Sequence, residues 1–274
     1  MGSILNNLSA MQASRQLGIT GAGLSQTIQR LTTGKRINNA ADDAAGLAIG
    51  TKLGADIQIA GQAQRNTNDG VSYLQVADGA LDQVSQLLTR ATQLSQQAQT
   101  GTISNSNRAD LDAEFQNILS TIQNIGSNTS FNGQSIFTTQ ATTLTVAAGT
   151  YGTLTLSMQS VSSNASTALG LVENTNNLLS TLGASSVASL LTVALESIST
   201  MRASIGASEE QMNATSAVLG IQVQNFTAAQ SGIQDANIAN EVVNLTKYQI
   251  LNQSGTSALA KSNTAAQQVL SLLQ

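Results

Sequence analysis

Residues that could carry out chemistry are few in this sequence, because it contains no histidine and no cysteine. An imidazole base, a thiolate nucleophile and the common zinc ligand sets are therefore unavailable. Asp42 and Asp43 could be considered as an acid–base pair, but adjacent residues on a helix point in different directions. Carboxylates at the start of a helix are better explained by the helix dipole. We therefore expect no catalytic residue, no cofactor and no metal site.

A phosphate-binding loop is the second chemical candidate, at Gly34-Lys35. The pattern fails because Gln29 stands where such a loop requires its first glycine. A dinucleotide-binding loop does not fit the spacing of Gly18, Gly21 and Gly23. Neither signal predicts a nucleotide site.

Composition excludes further classes of function. The net charge is −4 and only 9% of the residues are charged, so the chain offers no basic surface for nucleic acid. The segment from Met1 to Arg15 lacks the pattern of a cleaved secretory signal. No unbroken apolar run approaches ~18 residues, which predicts that no segment spans a membrane. If the protein leaves the cell, another route must carry it.

The elements that position side chains are long helices with a seven-residue apolar repeat. Proline is absent, which permits such helices. The clearest repeat predicts one helix over about 187–233 and contains Leu191, Ile198, Ile205, Met212, Leu219, Phe226 and Ile233. Matching repeats near the two ends contain Leu17, Leu24, Leu31, Leu245, Leu259 and Leu273. We interpret all these residues as the assembly seam, where helices meet in hairpins or coiled coils.

The middle of the chain combines two more helices with a change of period. Heptads predict a long helix over about 42–100, and apolar steps of three and four predict a shorter one near 111–125. At about 130–160, apolar residues alternate with Thr and Ser, which predicts a β-hairpin. The expected fold is therefore mainly α, with long antiparallel helical hairpins or coiled coils in two stacked segments and a small β-hairpin.

Breaks in the heptad phase predict the domain organisation. The terminal segments 1–40 and 235–274 should pair as an inner coiled coil, and 41–234 should form an outer helical domain that includes the hairpin. Each terminal segment buries too little by itself, because ordering a residue costs ~1–2 kcal/mol and a buried Leu or Ile returns ~1.5–3 kcal/mol only when a partner covers it. We therefore expect these ends to become ordered only when neighbouring copies cover them.

Five separated segments resemble bacterial flagellin: Thr32–Gly46 (TTGKRINNAADDAAG), Arg65–Gly70 (RNTNDG), Phe131–Gly133 (FNG), Gln249–Asn263 (QILNQSGTSALAKSN) and Val269–Leu273 (VLSLL). The resemblance implies a short flagellin that polymerises into the flagellar filament, with its terminal helices in the filament core and little or no variable outer domain. It further implies an extracellular location and export through the flagellar secretion channel without a cleaved signal peptide.

The same resemblance implies several partners. These are further copies of the chain, an export chaperone that holds the C-terminal helix, and the cap and hook-junction proteins. Toll-like receptor 5 is a further partner of the family, and Arg90, Leu94 and Glu114 stand where its main contact residues fall. Thr92 and Gln93 replace charged neighbours that are usual in the family.

Two other functions remain open at this point. A hook-filament junction protein belongs to the same superfamily, and long filaments formed by the purified protein would exclude it. A soluble helical adaptor would bind a partner through the same apolar repeats, and it would stay monodisperse at high concentration.

Overall fold

The structure, a computed structural model, describes residues 7–137, 142–149, 152–158, 170–171 and 175–271. The helices within these ranges are α1 (Leu8–Thr33), α2 (Ala44–Gln99), α3 (Asn105–Asn128), α4 (Thr181–Gln234) and α5 (Ile238–Ser271). The strands are β1 (Ser130–Phe131), β2 (Gln134–Ser135), β3 (Thr142–Ala147) and β4 (Thr153–Met158). The prediction of a mainly α fold with a small β-hairpin in the middle is confirmed.

The chain divides into two compact units. Unit 1 contains Met1–Ile57 and Gln224–Gln274, and unit 2 contains Gln58–Val223. The helices are interrupted at 34–43 and 235–237. Because α2 and α4 continue past these breaks, unit 1 also includes the first turns of α2 and the last turns of α4. The assignment of 1–40 and 235–274 to one filament layer remains a prediction.

The core of unit 2 is built from one face each of α2, α3 and α4. Helix α2 contributes two heptad positions, and every one of these side chains is completely buried: Leu74, Leu81, Leu88, Ala77, Val84, Ala91 and Ala98. Phe115, Leu119 and Ile122 of α3 are also completely buried in this cluster. The narrow heptad faces therefore form a three-helix core in which aliphatic side chains dominate.

The β-hairpin packs on the same unit. Strands β3 and β4 are antiparallel, with Leu144 opposite Leu156 and Val146 opposite Leu154. A Cβ atom on Gly70 of α2 would lie 2.9 Å from Val146 Cγ2, so only glycine permits this close approach. The sequence did not predict the shorter β1–β2 hairpin, which turns at two residues of positive φ, Asn132 (49°) and Gly133 (78°).

Arg108 stabilises the connection between α2 and α3 through hydrogen bonds to backbone carbonyl groups. Its side chain is buried, and Nε donates a hydrogen bond to the carbonyl oxygen of Ala98 over 2.9 Å. Nη2 reaches the carbonyl oxygens of Thr100 and Ile103 at 3.4 and 3.5 Å. A buried guanidinium thereby satisfies carbonyl groups at the C-terminal end of α2, where the helix dipole favours positive charge.

Replacing Arg108 by methionine should lower the free energy of unfolding of the chain by about 2 kcal/mol, because the carbonyl group of the buried Ala98 loses a charged donor. Urea denaturation followed by circular dichroism measures this change. The matched control is Arg65→Met, since Arg65 is exposed and its hydrogen bonds within the described part of the chain go to Gln62 on its own helix. Equal effects of the two substitutions would contradict the role given to Arg108.

Among the described helices, α4 is long and apolar enough to cross a membrane by length and composition, with a mean hydropathy of 1.4 over 18 residues. Length and composition alone do not establish a membrane span, so the expectation that no segment spans a membrane stays a prediction. Only 28% of that window is buried. Leu191 and Ile198 of α4 nevertheless pack completely buried in unit 2. One such helix is weak evidence for a membrane span.

Candidate assembly surface

The terminal helices of unit 1 pack against each other as an antiparallel pair, as the sequence predicts. The contacts run in opposite directions along the two helices and join Asn7 to Ser262, Leu17 to Gly255, Gly23 to Tyr248, and Arg30 to Glu241. Near the chain ends, Asn7 Nδ2 donates to the carbonyl oxygen of Ser262 over 3.1 Å, and Ser262 Oγ donates to Asn7 Oδ1 over 3.1 Å. At the opposite end of the pair, Arg30 Nη1 lies 3.4 Å from Glu241 Oε1.

Two glycines allow the helices of this pair to approach closely. A Cβ atom on Gly23 would lie 2.7 Å from a ring carbon of Tyr248. A Cβ atom on Gly255 would lie 3.1 Å from Leu17 Cδ1. Glycine lowers helix stability by about 1 kcal/mol relative to alanine, but at these positions it makes room for a large side chain of the other helix.

The predicted leucines of the two ends lie on the shared face of the pair. Leu17, Leu24 and Leu31 of α1 and Leu245 and Leu259 of α5 are all half-buried. Leu273 lies outside the described residues. The structure thus brings the described leucines of α1 and α5 to the same side of their helices, but a single subunit does not cover them completely.

The interior of the α1–α5 pair is polar. Among its described residues, the side chains that are buried are Thr20, Thr27 and Glu241, and no large apolar side chain of α1 or α5 is. Because apolar burial stabilises a fold in proportion to the area that is covered, these leucines contribute to the pairing, but less than complete burial would. Covering their remaining area would stabilise the pair further.

Large apolar side chains of α1 and α5 are also exposed to solvent. We call this set the outer apolar face, and its members are 40–68% exposed: Leu8, Met11, Ile19, Ile28, Ile238, Val242, Val243, Ile250 and Leu251. Scattered exposed aliphatic residues are ordinary on a protein surface. Nine of them on two adjacent helices are the feature expected of a surface that other molecules cover.

Most of the apolar repeat of α4 is buried within a single subunit. Leu191, Ile198, Ile205, Met212 and Leu219 are all buried in unit 2. Phe226 and Ile233, which belong to unit 1, are half-buried. The buried residues can affect assembly only indirectly, through the fold of unit 2.

The proposed receptor residues differ in accessibility. Arg90 and Glu114 are exposed and form an ion pair, with Arg90 Nη2 2.7 Å from Glu114 Oε1. Leu94 is completely buried, because α3 packs on α2 and widens the covered face of that helix. Of the three residues, Leu94 is therefore unsuited to direct contact with a receptor while unit 2 is folded.

The loop between α1 and α2 is organised by the two aspartates that the sequence singled out. Asp43 Oδ1 accepts a hydrogen bond from the backbone N–H of Gly46 over 2.9 Å and so caps α2. Asp42 Oδ2 accepts from the backbone N–H groups of Asn39 and Asn38, and these bonds lower the pKa of the Asp42 carboxyl group. The helix-start role expected for both carboxylates is seen for Asp43, whereas Asp42 holds the loop before α2. Within the described residues, no group of three or more metal-ligating side chains occurs.

Comparison with known proteins is consistent with this architecture over nearly the whole chain. The family described as bacterial flagellin N-terminal helical region matches residues 4–142, and the corresponding C-terminal helical region matches residues 188–273. A flagellin of Halalkalibacterium halodurans is 35% identical, with 99% of each chain covered. The flagellar filament 30.7 kDa core protein of Treponema maltophilum is 34% identical, with 98% of this chain and 99% of that protein covered. The crystal structure of Bacillus cereus flagellin covers 61% of this chain and 94% of its own, with 26% identity and a TM-score of 0.48.

Long helices with a mainly aliphatic core and exposed aliphatic side chains near both ends of the chain are typical of a structural protein. The chain belongs to the bacterial flagellin family. It is a structural subunit of the flagellar filament, the extracellular part of the flagellum. Relatives named as flagellins and matched over almost their full length favour this function over a hook-filament junction protein or a soluble adaptor.

Proposed function

We propose that this flagellin polymerises through the outer apolar face of α1 and α5, which neighbouring subunits cover in the filament core. The observation that carries the proposal is the coexistence of half-buried leucines between the helices with exposed aliphatic side chains outside them. Covering these surfaces supplies about 25 cal/mol per Å² of apolar area, which one subunit cannot provide for itself. The terminal segments 1–40 and 235–274 are thus the part of the chain that assembly stabilises.

A polar substitution on this face tests the proposal. Ile250 is 68% exposed, so Ile250→Asn leaves the isolated subunit intact but should slow filament growth at least about tenfold, because a neighbouring copy would have to bury an amide without a partner. Seeded polymerisation followed by light scattering measures the rate. The control Gln253→Asn changes an exposed polar residue on the same helix. Normal growth of Ile250→Asn filaments would contradict the proposed surface.

Helix α5 is also the proposed site of an export chaperone. Its exposed residues Val243, Ile250 and Leu251 would contact the chaperone before assembly, so that chaperone and filament neighbours compete for the same face. The chain would travel unfolded through the flagellar secretion channel without a cleaved signal peptide, and cap and hook-junction proteins would direct its assembly. Co-expression with the flagellar chaperone, followed by mass spectrometry of the co-purified intact chain, tests both the complex and the uncleaved N-terminus.

A contact with Toll-like receptor 5 is proposed through the Arg90–Glu114 pair alone. Both side chains are exposed on adjacent helices of unit 2, whereas Leu94 would only support their backbone from inside. A reporter-cell assay with the purified monomer tests the contact. The cells should respond less to the Arg90→Ala variant. No response to the unmodified monomer would eliminate this partner.

A further inference from the structure

The apolar repeats of α1 and α5 leave one property of their pairing undetermined, namely the register, or which residue of α1 lies opposite which residue of α5. Helix α1 presents Ala10, Leu17, Leu24 and Leu31 at intervals of seven residues, and α5 presents Leu245 and Leu259 fourteen residues apart, with Asn252 between them. Sliding one helix by seven residues again places these two leucines against the heptad position of α1 that carries Leu17, Leu24 and Leu31. Burial of the leucines therefore distinguishes poorly between the observed register and its neighbours.

The second heptad position of α5, by contrast, carries a different residue in each heptad. Its successive residues are Glu241, Tyr248, Gly255 and Ser262, which differ in charge and size. In the observed register the Tyr248 ring lies against Gly23 and the Glu241 carboxylate lies against the Arg30 guanidinium. After a slide of one heptad in either direction, Glu241 would no longer face Arg30.

The ion pair is enclosed enough for such a loss to matter. The Arg30 and Glu241 side chains are only 25% and 10% exposed. Arg30 Nε and Glu241 Oε2 are buried and form no hydrogen bond with the described residues. A pair with unsatisfied atoms adds little stability, but separating it leaves a buried charge without compensation. Its physical effect is therefore to penalise every register except one.

We infer that Arg30 and Glu241 are positioning residues that fix the register of α1 against α5. This inference rests on the proposed function, because the register determines which outer apolar face a subunit offers to its neighbours. Seven residues of helix correspond to about 10 Å, so a subunit in a slid register would displace half of that face by about 10 Å. A regular filament requires all subunits to present the same face.

Disulfide trapping in the assembled filament tests the inference, since the full-length chain contains no cysteine of its own. Gly255→Cys is combined with Leu17→Cys to report the observed register, where a Cβ atom at position 255 lies 3.1 Å from the Leu17 side chain. It is combined with Ala10→Cys or Leu24→Cys to report a slide of one heptad in either direction. Disulfides within one subunit and between subunits are separated by the dimer bands that only the latter give on a denaturing gel.

With Arg30 and Glu241 present, the Leu17→Cys pair should form at least about tenfold more disulfide within a subunit than either slid pair. With Arg30→Met and Glu241→Met together, the disulfide yield of the slid pairs should rise to within about threefold of the yield of the Leu17→Cys pair. The exchanged variant, Arg30→Glu with Glu241→Arg, should restore the single register, which a merely structural role of these two positions would not do.

Two results would overturn the inference. One is a single register in the double methionine variant, which would assign the register to Tyr248 and Gly23 instead. The other is formation of the disulfides that report a slide in the exchanged variant. This second result decides the question if the methionine variant does not assemble. Failure of the proposed function is distinguishable from both, because it would show as normal growth of Ile250→Asn filaments, whichever register the disulfides report.

Discussion

Replacing Leu219 by aspartate should lower the free energy of unfolding by about 4 kcal/mol, which is a large part of the stability of an ordinary domain. Leu219 is completely buried and packs with Ala60, Ala63 and Val223 in unit 2. The substitution removes an aliphatic side chain and buries a carboxyl group that has no partner there. Thermal unfolding followed by circular dichroism measures the loss, and the filament yield should fall with it.

The neighbouring residue provides the control for this substitution. Val218 precedes Leu219 on α4 but is 43% exposed, so Val218→Asp should change the free energy of unfolding by no more than about 0.5 kcal/mol. A comparison of the two variants separates the effect of burial from that of adding a negative charge to α4. A loss of stability in Val218→Asp as large as that in Leu219→Asp would show that burial is not the cause.

The second large effect is expected in hydrogen exchange. Amide hydrogens of α1 and α5 should exchange at least about 100-fold more slowly in the filament than in the isolated subunit, which corresponds to about 2.7 kcal/mol of added local stability. The reason is the polar interior of their pairing, where Thr20, Thr27 and Glu241 are buried but the leucines are only half-buried. Exchange followed by mass spectrometry of peptides measures both states.

Helix α3 serves as the internal reference in that experiment. Its residues Phe115, Leu119 and Ile122 are completely buried within unit 2, so its amides should be protected similarly in the subunit and in the filament. Equal protection of α1 and α5 in the two states would refute the proposal that assembly orders the chain ends. An equal gain in α3 would instead indicate that the whole subunit becomes ordered on assembly.

The sequence predicts the helices of this protein well because their cores are narrow heptad faces. Leu74, Leu81 and Leu88 follow one another at seven-residue intervals, and all three are completely buried. The sequence predicts the β3–β4 hairpin equally well, since Leu144 and Leu156 alternate with polar residues and lie opposite each other. In both cases the local period alone determines which side chains face inward.

Other features depend on contacts between segments that are distant in sequence. Leu94 reads as a surface residue beside Arg90, but α3 covers it. Arg108 reads as one more charged residue at a helix start, but it satisfies carbonyl groups at the end of the preceding helix. The Arg30–Glu241 pair joins positions 211 residues apart. The sequence contains one indication of this pair. Glu241 and Tyr248 are seven residues apart, so the carboxylate lies on the same side of α5 as the tyrosine ring.

The packing of Tyr248 against Gly23 gives this protein an optical reporter of its own. The chain has three tyrosines and no tryptophan, so tyrosine emission is not lost to energy transfer to an indole. Tyr73 lies in unit 2, where its ring meets Phe131 edge-on at 5.8 Å. After Tyr73→Phe and Tyr151→Phe, the remaining phenol would report by fluorescence anisotropy on when the two chain ends come together during filament growth, without any attached dye.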